Sequence, residues 1–288
     1  MKNYPHPSKN PDQVAQCATL AMLLELSSSP KPGNVDRCHD SSDLTFQHFL
    51  VSATTAHPVF RKAAAGGGSI GRLLLEGVQS WREWSLPGNT HFGSLVLMIP
   101  LALAAGRGGS LEEELPRVLE ESTPHDALNF YRAFELAEVR VAEVERFSLR
   151  DYSSRERLLR ESKSLLDLMR LSSGHDLIAM EWATSYLRCF QLAARLAEIT
   201  SEYGLNRGIV RIYLEALSAQ ADSLVTTKFG EERSKEVSRR AKEALEDDSL
   251  EAARLLDIEL LEADINPGST ADLIAASLFI ALLRGLRF

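Results

Sequence analysis

Residues 154–171 read SRERLLRESKSLLDLMRL, with apolar side chains at Leu158, Leu159, Leu165, Leu166, Leu168 and Met169. Recurrence at three- and four-residue spacing, without alternating β-branched residues, is the period of an amphipathic helix. The same spacing runs through nearly the whole chain, in which Leu, Ala, Glu and Arg dominate, residues that lose little on entering a helix. The fold class that follows is all-α: a multi-helix bundle. A first helix is predicted from Pro11 and Asp12 to just before Ser27–Pro30, where the proline suits a first turn. Further helices are predicted near 44–64, 69–84, 91–105, 111–121, 125–147, 154–171, 176–202, 205–226, 231–246, 249–263 and 270–286. Two runs, Leu95–Ala105 and Leu273–Leu283, are apolar on almost every side. Both fall short of the roughly 20 residues a bilayer requires, so they are expected as central, buried helices.

The chain has 288 residues, 44% hydrophobic and 25% charged, proportions of a packed protein that exclude disorder throughout. No internal repeat and no Ser/Gly-rich or Pro-rich linker divides it, so residues 1–288 are expected to form a single domain; the weakest candidate boundary is Ser148–Ser154. A balance of 32 Lys and Arg against 40 Asp and Glu gives a net charge of −8. Without a long basic run this repels polyanions, so no nucleic acid partner is expected. Cys17, Cys38 and Cys189 are too scattered for a disulfide framework or a paired metal motif, which favours a reducing compartment. Met1–Pro11 is polar, with three prolines and no apolar stretch. A cytoplasmic protein with no membrane association is expected, and its long apolar helices are compatible with a homodimer.

Chemistry is to be sought at the polar breaks between helices. The first, PKPGNVD (30–36), is followed by His39, Asp40 and Asp43. Its prolines stiffen the backbone and Gly33 permits a tight turn, so Lys31, Asn34 and Asp36 would project from a preset loop suited to phosphate or metal. The alternative is an interhelical turn whose Asn and Asp cap the next helix. The second, PGNTHFG (87–93), leads into the most apolar helix. Gly88, Asn89, Thr90 and His91 would face an anion at a helix start, or Asn89 or Thr90 would be an ordinary cap. In the third, NPGSTAD (266–272), Ser269 and Asp272 have the spacing of a capping box, and Asp272 could instead join a shared cleft. Two weaker breaks, Gly174–Asp176 and Asp222–Gly230 with Lys228, each place an acid near a helix end. The GxGxxG match at Gly66–Gly71 follows Ala63–Ala65 and no strand, so it reads as an interhelical loop.

Taken in order, PKPGNVD (30–36), GNTHFG (88–93), DSLVTTKFG (222–230) and NPGSTADL (266–273) resemble the triphosphoribosyl-dephospho-CoA synthase family over almost the whole chain. Leu24-Glu25-Leu26 matches an acidic residue ahead of the first motif. The chain departs from the bacterial pattern at Phe92, where the family has a lysine, and across Arg37–Asp43. The resemblance implies transfer of the 5-triphosphoribosyl group of ATP to the 2′-hydroxyl of dephospho-CoA, releasing adenine. It implies Mg²⁺ on the triphosphate, for which Glu25, Asp36 and Asp40 are candidate ligands. Lys31, Gly33, Asn34, Gly88, Asn89, Thr90, His91, Lys228 and Ser269 are candidate substrate or phosphate contacts. Asp36, Asp176, Asp222 and Asp272 are candidate catalytic carboxylates. A related nucleotide-dependent transferase with another acceptor, and a non-catalytic nucleotide-binding helical protein, are the alternatives.

Overall fold

The computed structural model describes residues 10–138 and 152–288 and contains no strand among them. The elements are α1 (Pro11–Ser27), α2 (Phe46–Thr55), α3 (His57–Ala64), α4 (Ile70–Glu83), α5 (Phe92–Arg107), α6 (Leu111–Glu120), α7 (Pro124–Leu136) and α8 (Tyr152–Arg160). They continue with α9 (Leu165–Ser172), α10 (Leu177–Ala183), α11 (Leu187–Tyr203), α12 (Leu205–Ala219), α13 (Ser223–Phe229), α14 (Glu231–Ala244), α15 (Glu251–Glu262) and α16 (Gly268–Leu283). Residues 139–147 of the helix expected at 125–147, and most of the candidate boundary at Ser148–Ser154, lie outside the described residues. Among the described residues no single helix is long and apolar enough to cross a membrane.

The two apolar runs form α5 and α16, which pack on each other and on α1. Leu273, Ile274, Leu278, Phe279 and Ile280 of α16 are completely buried, each contributing about 1.5–3 kcal/mol of apolar transfer. Proline inside a helix removes the N–H that would bond the carbonyl four residues back. Here α5 continues through Pro100 because the Trp182 indole N–H donates to the freed Val96 carbonyl at 3.2 Å. Tyr186 donates its hydroxyl to Leu97 O at 3.0 Å. α10 and the turn that follows it are thereby tied to the central helix.

Four predicted helices are interrupted. The 44–64 segment bends at Ala56, with Pro58 in the first turn of α3. The 154–171 segment breaks where Ser162 takes a left-handed conformation, and Ser164 restarts the helix through a reciprocal capping box with Asp167. The 176–202 segment breaks at Ser185 and Tyr186, both left-handed, and the 205–226 segment breaks at Gln220, after which Asp222 caps α13. Each break keeps the helical period on both sides, so apolar spacing alone reads through it. Gly66–Ser69 is the loop between α3 and α4, as its setting implies.

Candidate active site

The loop between α1 and α2 is held from below. Asn206 of α12 accepts from Ser29 N at 3.1 Å and donates to Ser29 O at 2.8 Å. Tyr213 donates to Pro32 O at 3.0 Å, and Asp257 of α15 accepts from Gly33 N at 2.9 Å. Gly33 is required twice over: its φ is +75°, and a Cβ there would lie 2.1 Å from Ile265 O. Lys31 is fully buried. Its ammonium donates to Glu25, to Asn34 Oδ1 at 3.2 Å and to Val35 O at 3.4 Å. All three ammonium protons are engaged inside the protein.

Beside this loop opens a cleft of about 210 Å³. Its polar wall contains Glu25, Asn34, Asn89, Thr90, His91, Ser94, His175, Asp176, Ser223, Asn266, Ser269 and Asp272. Its apolar wall contains Phe92, Phe130, Phe134, Leu168 and Met169. Segments as far apart in the chain as Glu25 and Asp272 therefore face one space, as a ligand site built at helix ends requires. The ring of Phe92 stacks among Phe130 and Phe134, at centroid distances of 5.7 and 5.9 Å.

At the start of α5, Asn89 Oδ1 accepts from Phe92 N at 2.9 Å and so acts as the cap. The group seated at this helix start is the protein's own Asp272 carboxyl, which accepts from Ser94 Oγ at 2.5 Å. Asp272 is therefore not the partner in a capping box with Ser269; α16 has no side-chain cap, and Ser269 instead accepts from Ser223 Oγ at 2.9 Å. Burial pushes the Asp272 carboxyl up to about 8, outweighing the Ser94 hydrogen bond that pulls it down, with the Glu25 charge adding to the rise. Burial also pushes the Glu25 carboxyl up, and the Lys31 ammonium draws it back. Neutralising Glu25 would leave a buried ammonium without its counter-charge, so the ionised pair is the favoured state.

His91 is buried, and burial together with the nearby Lys31 charge lowers its pKa to about 3, so the ring is neutral at pH 7. Its Nδ1 lies 2.5 Å from Ser52 Oγ, whose proton is directed to Phe49 O at 3.1 Å. Ser52 thus accepts from Nδ1–H, and Nε2 is left as an acceptor. His91 Nε2 and Thr90 Oγ1 are buried and have no hydrogen-bond partner, and both residues line the cleft. Buried polar atoms of this kind are normally satisfied, which makes them candidate ligand contacts.

The remaining expected residues divide. Asp176 caps α10 by accepting from Ala179 N at 2.8 Å, and it also lines the cleft. Asp222 spends its oxygens on Leu224 N, Val225 N, Thr270 N and Thr270 Oγ1 at 2.7–3.2 Å. It holds α13 to α16 and does not line the cleft. Asp36 accepts from Cys38 N and Lys31 N and lies behind the loop. Asp40 is exposed and accepts from Phe46 N at 2.6 Å at the start of α2. Lys228 is exposed and paired with Asp264 at 2.5 Å. Gly88 supplies a positive φ in the turn before α5. Ser52, Ser94, Phe130 and Asp257 carry no motif signal; they enter only through contacts made across the fold.

The sequence profile described as ATP:dephospho-CoA triphosphoribosyl transferase matches residues 11–287. The chain belongs to this family. It is thus a transferase, and the ordered polar segments that resemble the family are the ones that meet at the cleft. The probable 2-(5''-triphosphoribosyl)-3'-dephosphocoenzyme-A synthase of Streptococcus equi subsp. equi (strain 4047) is 25% identical over 308 residues, covering 94% of this chain and 97% of that protein. A crystal structure from Archaeoglobus fulgidus, provisionally named a triphosphoribosyl-dephospho-CoA synthase, superposes with a TM-score of 0.70 at 28% identity. The match covers 83% of this chain and all of that one.

Asp272 can approach α5 so closely because residue 93 has no side chain: a Cβ on Gly93 would lie 2.1 Å from Asp272 Oδ2. Gly93→Ala is compatible with the helical backbone, but the added methyl must push the buried Asp272 carboxyl aside and should lower the melting temperature modestly. It should lower turnover by about 10²-fold by displacing the carboxyl. Parallel melting and adenine-release measurements separate these effects, and an alanine variant of full activity would show that the position of Asp272 is immaterial.

Proposed function

We propose that this transferase moves the 5-triphosphoribosyl group of ATP to the 2′-hydroxyl of dephospho-CoA, releasing adenine, with Asp272 as the acid and Glu25 as the counter-charge. The observation carrying this reading is that one cleft is faced by two unlike carboxyl groups, Glu25 paired with the Lys31 ammonium and Asp272 hydrogen-bonded only by Ser94 and raised by burial to about 8. Environments that push paired titratable groups apart are how acid and base roles are divided. The bond from C1′ to N9 of adenine breaks as the 2′-oxygen bonds to C1′, and the proton the hydroxyl gives up passes to the Asp272 carboxylate left once adenine has taken the Asp272 proton. Adenine leaves as a neutral base only if a proton reaches it, and Asp272, protonated at neutral pH, supplies one. The Glu25 carboxylate, kept ionised by Lys31, opposes the positive charge that grows on the sugar. The neutral His91 Nε2 and the Thr90 hydroxyl orient substrate hydroxyl or amino groups, and the phenylalanine wall receives a base.

The donor chemistry of the cleft fits Mg²⁺. Its described lining has carboxylates and amide oxygens but no Lys or Arg, so a polyphosphate entering it needs a cation of its own. Asp176 would hold the ion, matching the habit of Mg²⁺ to take one or two carboxylates alongside substrate phosphates. When bound, the ion neutralises triphosphate oxygens.

Incubation with ATP, Mg²⁺ and dephospho-CoA, followed by chromatographic separation of adenine, ADP and phosphate, tests the reading. Adenine formation that depends on dephospho-CoA is the expected result. Adenine formed only with another hydroxyl acceptor would redirect the acceptor assignment. ATP binding without any adenine would overturn catalysis.

A further inference from the structure

Behind the cleft, and not lining it, the ligand-capable atoms of Asp36, His39 and Asp257 lie within 4.8 Å of one another. We propose that these three residues bind a divalent first-row transition metal, of the zinc or manganese type, that ties the 30–39 loop to α15. His39 Nδ1 lies 3.0 Å from Asp257 Oδ2 and 3.8 Å from Asp36 Oδ1. A tetrahedral ion with ligand bonds of about 2.0–2.2 Å places neighbouring ligand atoms about 3.4 Å apart, a value between the two observed separations.

Three observations point to a ligand at this place. Asp257 is 1% exposed, and its Oδ2 lies in ion-pair range of His39 Nδ1, yet neither atom makes a hydrogen bond, to the other or to any other group. Their geometry suits a shared third body better than a bond to each other. Both carboxylates are also held in place from behind: Asp257 Oδ1 accepts from Gly33 N at 2.9 Å, and Asp36 accepts from Lys31 N at 3.3 Å and Cys38 N at 2.7 Å. Such outer hydrogen bonds orient metal ligands. The turn itself is closed by paired backbone bonds between Asp36 and His39, at 3.0 and 3.3 Å.

Charge supplies the third observation. Lys31 is already matched by Glu25, so two buried carboxylates share one imidazole, and a cation offsets the excess. One imidazole nitrogen with two carboxylate oxygens is a mixed donor set that favours Zn²⁺ or Mn²⁺ over Mg²⁺. The His39 side chain is 40% exposed, which leaves water access and a route for the ion.

Calorimetric titration of the EDTA-stripped full chain with ZnCl₂, MnCl₂ and MgCl₂ tests the site. One equivalent of Zn²⁺ or Mn²⁺ should bind and raise the melting temperature. His39→Ala should weaken binding beyond the roughly 10–100-fold expected for loss of an outer-sphere partner. Cys38→Ser should bind as the parent does, which excludes the neighbouring exposed thiol. Because His39 is partly exposed, its variant carries the test even if Asp257→Asn fails to fold. Absence of saturable binding, binding that survives His39→Ala, or Mg²⁺ binding as tightly as Zn²⁺ and Mn²⁺ would overturn the proposal. None of these readouts depends on adenine release, so failure here is distinct from failure of the proposed reaction.

Discussion

Asp272→Asn is expected to lower adenine release by about 10²–10⁴-fold, the usual contribution of a positioned general acid, while leaving the fold in place. The amide oxygen of Asn can still accept from Ser94 Oγ, so the contact that seats residue 272 at the start of α5 survives. What is lost is the proton that the leaving base requires. The stability of the two proteins should also diverge with pH. The folded-state pKa of Asp272 is raised from the ordinary 3.8 to about 8. Between these values the folded protein holds a proton that the unfolded chain releases, so the group's contribution falls as pH rises through that window and levels off above it. Asn lacks this slope. Urea midpoints measured from about pH 5 to 9 should therefore fall more steeply in the parent. A variant with near-parental turnover would remove Asp272 from the reaction.

Lys31→Met should destabilise the protein by about 3–5 kcal/mol, because removing one partner strands the other charge in the interior. Glu25 is 4% exposed and directly paired with Lys31, and Asn34 and Val35 would lose a donor as well. If Lys31 contacted phosphate, the variant would fold normally and show its defect in the KM for ATP. Denaturant titration of Lys31→Met, Glu25→Gln and the double variant resolves the two cases. Strong coupling places the lysine in the scaffold, and additive, small effects would return it to the substrate.

Helicity was legible in the sequence because apolar spacing is a local property, and the depth of α5 and α16 followed from their lack of a polar face. The cleft was partly legible. Asn89, Thr90, His91, Asp176, Ser269 and Asp272 were found as polar residues at the starts of apolar helices. Their division of labour was not, since a cap and a catalytic carboxyl have the same local pattern. Asp222 and Asp272 illustrate this: both precede or begin short apolar stretches, yet one spends its oxygens on four protein donors and the other faces open space. The continuation of α5 through Pro100 was invisible for a related reason. Trp182 satisfies the carbonyl freed by Pro100 from 86 positions away, and no window of sequence records that.

The order of amino acids by itself determined the all-helical class, the two buried helices and the polar turns that had to aim somewhere, because all three depend on neighbours within a few positions. Only the tertiary structure decided that Lys31 is a buried counter-ion, that Asp40 and Lys228 face solvent, and that burial raises the Asp272 carboxyl in the cleft it shares with Glu25. Those properties depend on solvent exclusion and on charges brought together from distant segments, and both come into being only when the helices pack.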